Sequence, residues 1–169
     1  MSAMAAARLA IEAHLGSSQV SRVIYGAIIG LALVLALEQH PPAPGVTIAS
    51  LLATAVAVGL AELYSDVVGT QARTHRRVGA AGVRHMLADV AAVALGIAFP
   101  CIFFILAAAG ALENDTAFTV AKWSGLGLIG FYGFYAGRSV GASLAASLLQ
   151  AVLVVTIGGA LIAVKALIH

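Results

Sequence analysis

Along this chain, long apolar runs are separated by short clusters of charge, at the spacing of membrane-spanning helices. Five runs qualify, at about 21–38, 46–69, 87–112, 118–137 and 139–166. A spanning helix needs about 20 mostly apolar residues, and fewer where a flanking Lys or Arg stem can reach the interface. The first run is short, lying between Arg22 and Glu38, and the Arg22 stem extends it. The third carries Pro100 near its middle. A proline there removes the donor that the Gly96 carbonyl would use, which predicts a kink. The runs are too long and continuous for barrel strands, and a helix satisfies its own backbone polar groups in lipid. The pattern predicts an all-α, polytopic membrane helix bundle, a single transmembrane domain over 1–169 with five transmembrane helices.

Composition agrees: 62% of the residues are hydrophobic and 9% charged, far from the roughly quarter-charged surface chemistry of soluble domains. The expected surroundings are the lipid bilayer of the plasma (inner) membrane. Positively charged short loops stay in the cytoplasm. An N-in, C-out arrangement places Arg8, Arg22, Arg73, Arg76, Arg77, Arg84 and Arg138 inside and only Lys122 and Lys165 outside. The net charge of +2 therefore reads as topology, with no nucleic-acid partner. Arg73, Arg76, Arg77 and Arg84 form a basic loop at the membrane surface, within reach of anionic headgroups. The segment 1–20 is expected to lie on the cytoplasmic interface, with Met4, Ala7, Ile11 and Leu15 at helical spacing. No cleaved signal peptide is expected, because the first apolar run starts late and no cleavage site follows it.

Glu62 and Asp66 are four residues apart, so they share a helix face at the inner end of the second run. Carboxylates at membrane depth are costly and normally face the bundle interior or water. They admit two readings. One is a cation or proton site joined by Asp89, and the other is an interfacial ion-pair cluster with Arg73, Arg76, Arg77 or Arg84. Small residues at four-residue spacing, Gly26 with Gly30, Gly133 with Gly137 and Gly137 with Gly141, let backbones approach closely, within the bundle or against a partner. Phe131, Tyr132, Phe134 and Tyr135 read as an aromatic anchor at one end of the fourth span, and Trp123 at the other. Cys101 is the only cysteine, so an intramolecular disulfide is impossible. His14, His40, His75, His85 and His169 are scattered over tails and loops. No nucleophile triad, phosphate loop or dinucleotide fingerprint is present. No enzyme activity, cofactor or resident metal is expected.

The run Val23-Ile24-Tyr25-Gly26-Ala27-Ile28-Ile29-Gly30-Leu31 resembles the first-helix pattern Tyr-Gly-Ala-Asn-Asp-Gly-Leu of the vacuolar iron transporter family. The stretch Ala61 to Gly69 is similar to that family's second helix. Gly96 with Pro100 matches a Gly-x-x-x-Pro spacing in its third, and Thr156-Ile157-Gly158 resembles the end of its fifth. The resemblance covers about residues 20–165 and implies the same five-span, N-in, C-out bundle. Where the family carries Asn-Asp on its ion path this chain has Ile28 and Ile29. The Glu-rich cytoplasmic helices that bind metal in the family are replaced by the short Arg-rich loop. Ferrous iron prefers carboxylate, imidazole or thioether ligands, and most of that set is missing. The sequence leaves two functions open. The first is a non-catalytic accessory subunit, paired with partner membrane subunits or as a homodimer, in a larger complex such as a multi-subunit lipid transporter. The alternative is a divergent divalent-cation or proton-coupled transporter using Glu62, Asp66 and Asp89.

Overall fold

A computed structural model describes residues 17–168. Most of the expected interfacial segment, with Arg8 and His14, lies outside the described residues, as does His169. The described chain is all helix and turn: α1 (Ser17–Leu37), α2 (Pro44–Thr74), α3 (Ala80–Ala98), α4 (Cys101–Ala108), α5 (Asn114–Ser139) and α6 (Leu144–Ile168). Four of these, α1, α2, α3 and α6, are long and apolar enough to cross a membrane.

Local chemistry sets the boundaries. Pro44 opens α2 at a position where its missing N–H costs nothing. His75 closes α2 in the left-handed region at φ 51°, its N–H bonded to the Gln71 carbonyl. Gly141 closes α5 at φ +76°, and the Ala142 N–H returns to the Gly137 carbonyl, a glycine-terminated helix end that a side chain would strain. Arg138 adds a hydrogen bond from Nη1 to the Ala142 carbonyl, 2.9 Å. The Ser143 hydroxyl accepts from the Ala146 N–H ahead of α6.

The expected third span over 87–112 differs in two ways. It begins earlier, at Ala80, and it divides at Phe99-Pro100 into α3 and α4. Phe99 and Pro100 keep right-handed helical backbone angles, so the two helices form one bent rod, broken where Pro100 cannot donate. The second span also runs longer than its apolar core, to Thr74 instead of 69, because Thr70, Gln71 and Arg73 continue the helix into the polar zone.

Helix α1 is the hub. It packs against α3 on one side and α5 on the other, with α2 outside α3 and α6 outside α5. Gly26, Gly30 and Gly96 bring α1 and α3 into backbone contact: a Cβ on Gly26 would overlap the Val93 carbonyl, and one on Gly96 would stand 2.5 Å from the Val23 carbonyl oxygen. Gly26 meets Val93 and Gly30 meets Ile97, so the two helices run parallel. On the other side, Gly133 and Gly137 admit Ala151 and Ser147 of α6, with 2.8 Å from a Gly137 Cβ to the Ser147 Cα. Gly141 does not join that face. Nothing lies within 4 Å of its Cβ position, and its part is the turn.

Three apolar clusters fill the bundle. Val34, Leu51, Cys101, Phe104 and Phe118 join α1, α2, α4 and α5, with the Phe104 and Phe118 rings edge to face at 4.7 Å. Ala27, Leu31, Leu35 and Ile129 join α1 and α5, with Ile28 and Leu161 packed against them. Ala55, Val93 and Ile97 join α2 and α3, with Ile29 against them. The outward faces are also apolar: Leu60 on α2 is 63% exposed and Leu153 on α6 is 60% exposed. A soluble chain rarely presents such a continuous apolar exterior.

Candidate functional site

The parallel register of α1 and α3 sets Arg22, one turn before Gly26, level with Asp89, one turn before Val93. Helix α2 runs the opposite way, with Gly59 against the Val90 side chain, which brings its Glu62 and Asp66 toward the same depth. Arg22 closes this layer. Its Nη1 is ion-paired with Glu62 Oε1, and its Nη2 donates to Asp66 Oδ2 at 3.3 Å. All three side chains are largely buried, at 25%, 21% and 31% exposure.

The guanidinium thus spans two carboxylates presented by successive turns of α2, an arrangement Arg serves better than Lys because its donors fork in a plane. The arginine expected to neutralise these acids was one of Arg73, Arg76, Arg77 or Arg84. Among the described residues none of those pairs with Glu62 or Asp66, and the cation comes from α1. The sequence carried one signal for this: Arg22, Gly26 and Gly30 fall at four-residue steps on one face, so the face that packs closest begins with a cation.

Asp89 stands apart. It is 91% buried, and its Oδ2 lies 3.5 Å from His85 Nδ1 one turn away on α3. Its Oδ1 is buried without a hydrogen-bond partner. No ion pair joins Asp89 to Arg22, Glu62 or Asp66, and no group of three His, Cys, Asp or Glu side chains able to hold a metal ion forms among the described residues. The cluster that the sequence groups as one therefore has two parts, a bridged pair and a solitary buried carboxylate.

A second charged contact lies at the other end of α1. Lys122 of α5 donates to Glu38 Oε1 at 2.7 Å, and nearby the Asn114 amide donates to the Pro42 carbonyl at 3.0 Å. Arg22 and Glu38 are separated along the helix by about 24 Å at 1.5 Å per residue. That is a little less than the roughly 30 Å hydrocarbon thickness, a gap long side chains close by snorkelling. Between the two charged layers, the seam of α1 is apolar: Ile28 and Ile29 sit against the clusters of Ile129 and Val93.

Outside this seam, α2 and α3 enclose a laterally open groove of about 750 Å³. Leu52, Val56, Leu60 and Leu63 form one wall, Leu87, Ala91 and Leu95 the other. No protein-family model, curated protein or solved structure matches this chain.

Proposed function

We propose that this chain is a five-span plasma-membrane protein, N-terminus in the cytoplasm and C-terminus outside, serving as a non-catalytic subunit of a larger membrane complex. A multi-subunit lipid transporter is the class of complex we favour. The observation that carries the reading is the fate of the intramembrane acids. Glu62 and Asp66 are engaged by Arg22, and the neighbouring stretch of α1, where a transporter of the resembled iron family keeps polar residues, is Ile28 and Ile29 in apolar packing. A hydrated cation entering there would lose its water without gaining ligands, at a cost of several kcal/mol.

The fifth span is α5. Its 26 residues reach about 39 Å at 1.5 Å per residue. It is less apolar than the other long helices because it takes in Asn114, Asp115, Lys122 and Arg138, and its buried stripe, Ala117, Ala121, Gly125, Ile129, Gly133 and Gly137, is mostly small. Such a stripe serves close helix packing. With α3 and α4 counted as one bent span, the arginines of the 75–85 region and Arg138 fall on one side. Reporter fusions after Arg77 and at Arg138 are expected to read cytoplasmic, and fusions near Asp115 external. An external signal after Arg77 reverses the orientation.

Asp89 favours a second reading, a divergent cation or proton-coupled transporter, because a buried carboxylate oxygen without a partner is uncommon in a static scaffold. Uptake assays decide between the two. The purified protein in liposomes is expected to move neither iron nor manganese above the level of empty vesicles, with or without a proton gradient. Saturable uptake lost in Asp89→Asn makes it a transporter.

A further inference from the structure

The groove between α2 and α3 has a length, a chemistry and a charged rim that fit one ligand. From Leu87 to Ala98 its wall spans about 16 Å at 1.5 Å per residue, close to half of the roughly 30 Å hydrocarbon core, the depth of one leaflet. The lining side chains are apolar throughout. One end of the groove, at Leu63 and Leu87, lies at the depth of the Arg22 layer, since Leu63 adjoins Glu62.

Beyond that end the chain turns from α2 into α3 and carries Arg73, Arg76, Arg77 and Arg84, all exposed. Among the described residues none of the four has a carboxylate partner, and Arg73 donates only to the Thr70 hydroxyl, at 3.4 Å. Arg84 stands one turn before Leu87, on the helix face that lines the groove. The N-terminus of α3 lies in the same region: Gly79 offers no side-chain cap, and the first turn holds no acid. Its first amides are left to an external acceptor, a favourable setting for a phosphate.

We propose that the α2–α3 groove binds one anionic phospholipid of the adjacent leaflet. An acyl chain lies along Leu60, Ala91 and Leu95, and the phosphate is held by Arg84 and the open amides of α3. A partner helix would fill the apolar wall but leave the arginine rim without a counter-charge; a lipid supplies both in one molecule of matching length. The proposal rests on the membrane reading above.

The test uses the full chain extracted from membranes into dodecyl maltoside. Native mass spectrometry and thermal unfolding are read with dioleoyl phosphatidylglycerol, with phosphatidylcholine of the same chains, and with inorganic phosphate. One phosphatidylglycerol is expected to be retained with about tenfold preference over phosphatidylcholine, whose phosphate can make the same contacts but whose choline cation is repelled by the arginine rim. Arg84→Gln is expected to reduce that preference to about twofold. Ala91→Trp fills the groove from an exposed position and is expected to weaken both lipids about tenfold with helicity unchanged. Equal retention of the two lipids, a preference that survives Arg84→Gln, or stabilisation by inorganic phosphate equal to that by phosphatidylglycerol overturns the site. A co-purifying protein displaced by Ala91→Trp, with no headgroup preference, assigns the groove to a partner helix and overturns it too. Release of the wild-type chain from membranes by alkaline carbonate sinks the membrane reading itself. A chain that stays in the membrane without lipid preference sinks only the lipid site.

Discussion

Placing a single methyl group on Gly26 is expected to destabilise the bundle by about 2 kcal/mol or more. Two opposing terms set this sum. In an isolated helix, Gly→Ala gains about 1 kcal/mol from reduced backbone entropy in the unfolded chain. Against that, the new Cβ would overlap the Val93 carbonyl. A flexible side chain could rotate away, but the backbone of α3 cannot. The helices must separate, and the contacts of Gly30 and Gly96 along the same seam loosen with them. Overpacking of this kind typically costs about 1–3 kcal/mol even when side chains absorb part of it. The control is Gly127→Ala in α5, where nothing lies within 4 Å of the new methyl. That variant is expected to be neutral or more stable by up to about 1 kcal/mol. Unfolding midpoints in mixed micelles, followed by far-UV circular dichroism, check the pair. If both variants shift the midpoint alike, the α1–α3 seam is not in backbone contact.

Removing the guanidinium of Arg22 is the second large effect. Arg22→Gln leaves Glu62 and Asp66 facing each other across one turn with no cation between them. Breaking a fully buried pair costs about 3–5 kcal/mol, mainly through the charge left behind. Here each side chain keeps a quarter or so of its exposure, which lowers the expected loss to roughly 1–3 kcal/mol. The sign of the repair is informative. Neutralising the acids as well, in Arg22→Gln with Glu62→Gln and Asp66→Asn, is expected to recover most of the loss, because a buried ion pair contributes little over a neutral set of similar shape. A double-mutant cycle between Arg22→Gln and Glu62→Gln should give a coupling of about 1–3 kcal/mol. A triple variant no more stable than Arg22→Gln alone would mean that the pairing is idle and that the acids serve another end.

Much of the architecture is legible in the sequence. Apolar run length anticipated a set of long apolar helices, though α3 begins at Ala80, ahead of its run, and Pro100 marked the break in the third run at the position where the helix divides. The glycine pairs were recognisable as sites of close approach, though Gly141 shares their spacing and serves a turn. The interior charges were harder to read. Glu62 and Asp66 fall on one face by simple periodicity, but their partner lies 40 residues or more away in sequence, on α1, and the arginines nearest in sequence are not the ones used. Asp89, grouped with them by its position at an inner helix end, faces its own helix's His85 instead.

The sequence by itself determined that the described chain is built of long apolar helices and that its exterior suits lipid, because helix length and apolarity are local properties of each segment. Only the tertiary structure decided that α1 sits at the centre, that Arg22 bridges the acids of α2, that Lys122 meets Glu38, and that a groove remains open between α2 and α3. The physical reason lies in the solvent. In water, a polar face and an apolar face tell outside from inside, so the hydrophobic pattern encodes packing as well as helix position. In a bilayer both faces are apolar, and the pattern no longer says which side is buried. That choice passes to the few residues that are unusually small or charged, Gly26, Gly96 and Arg22 among them, whose contacts exist only once two helices distant in sequence are brought together.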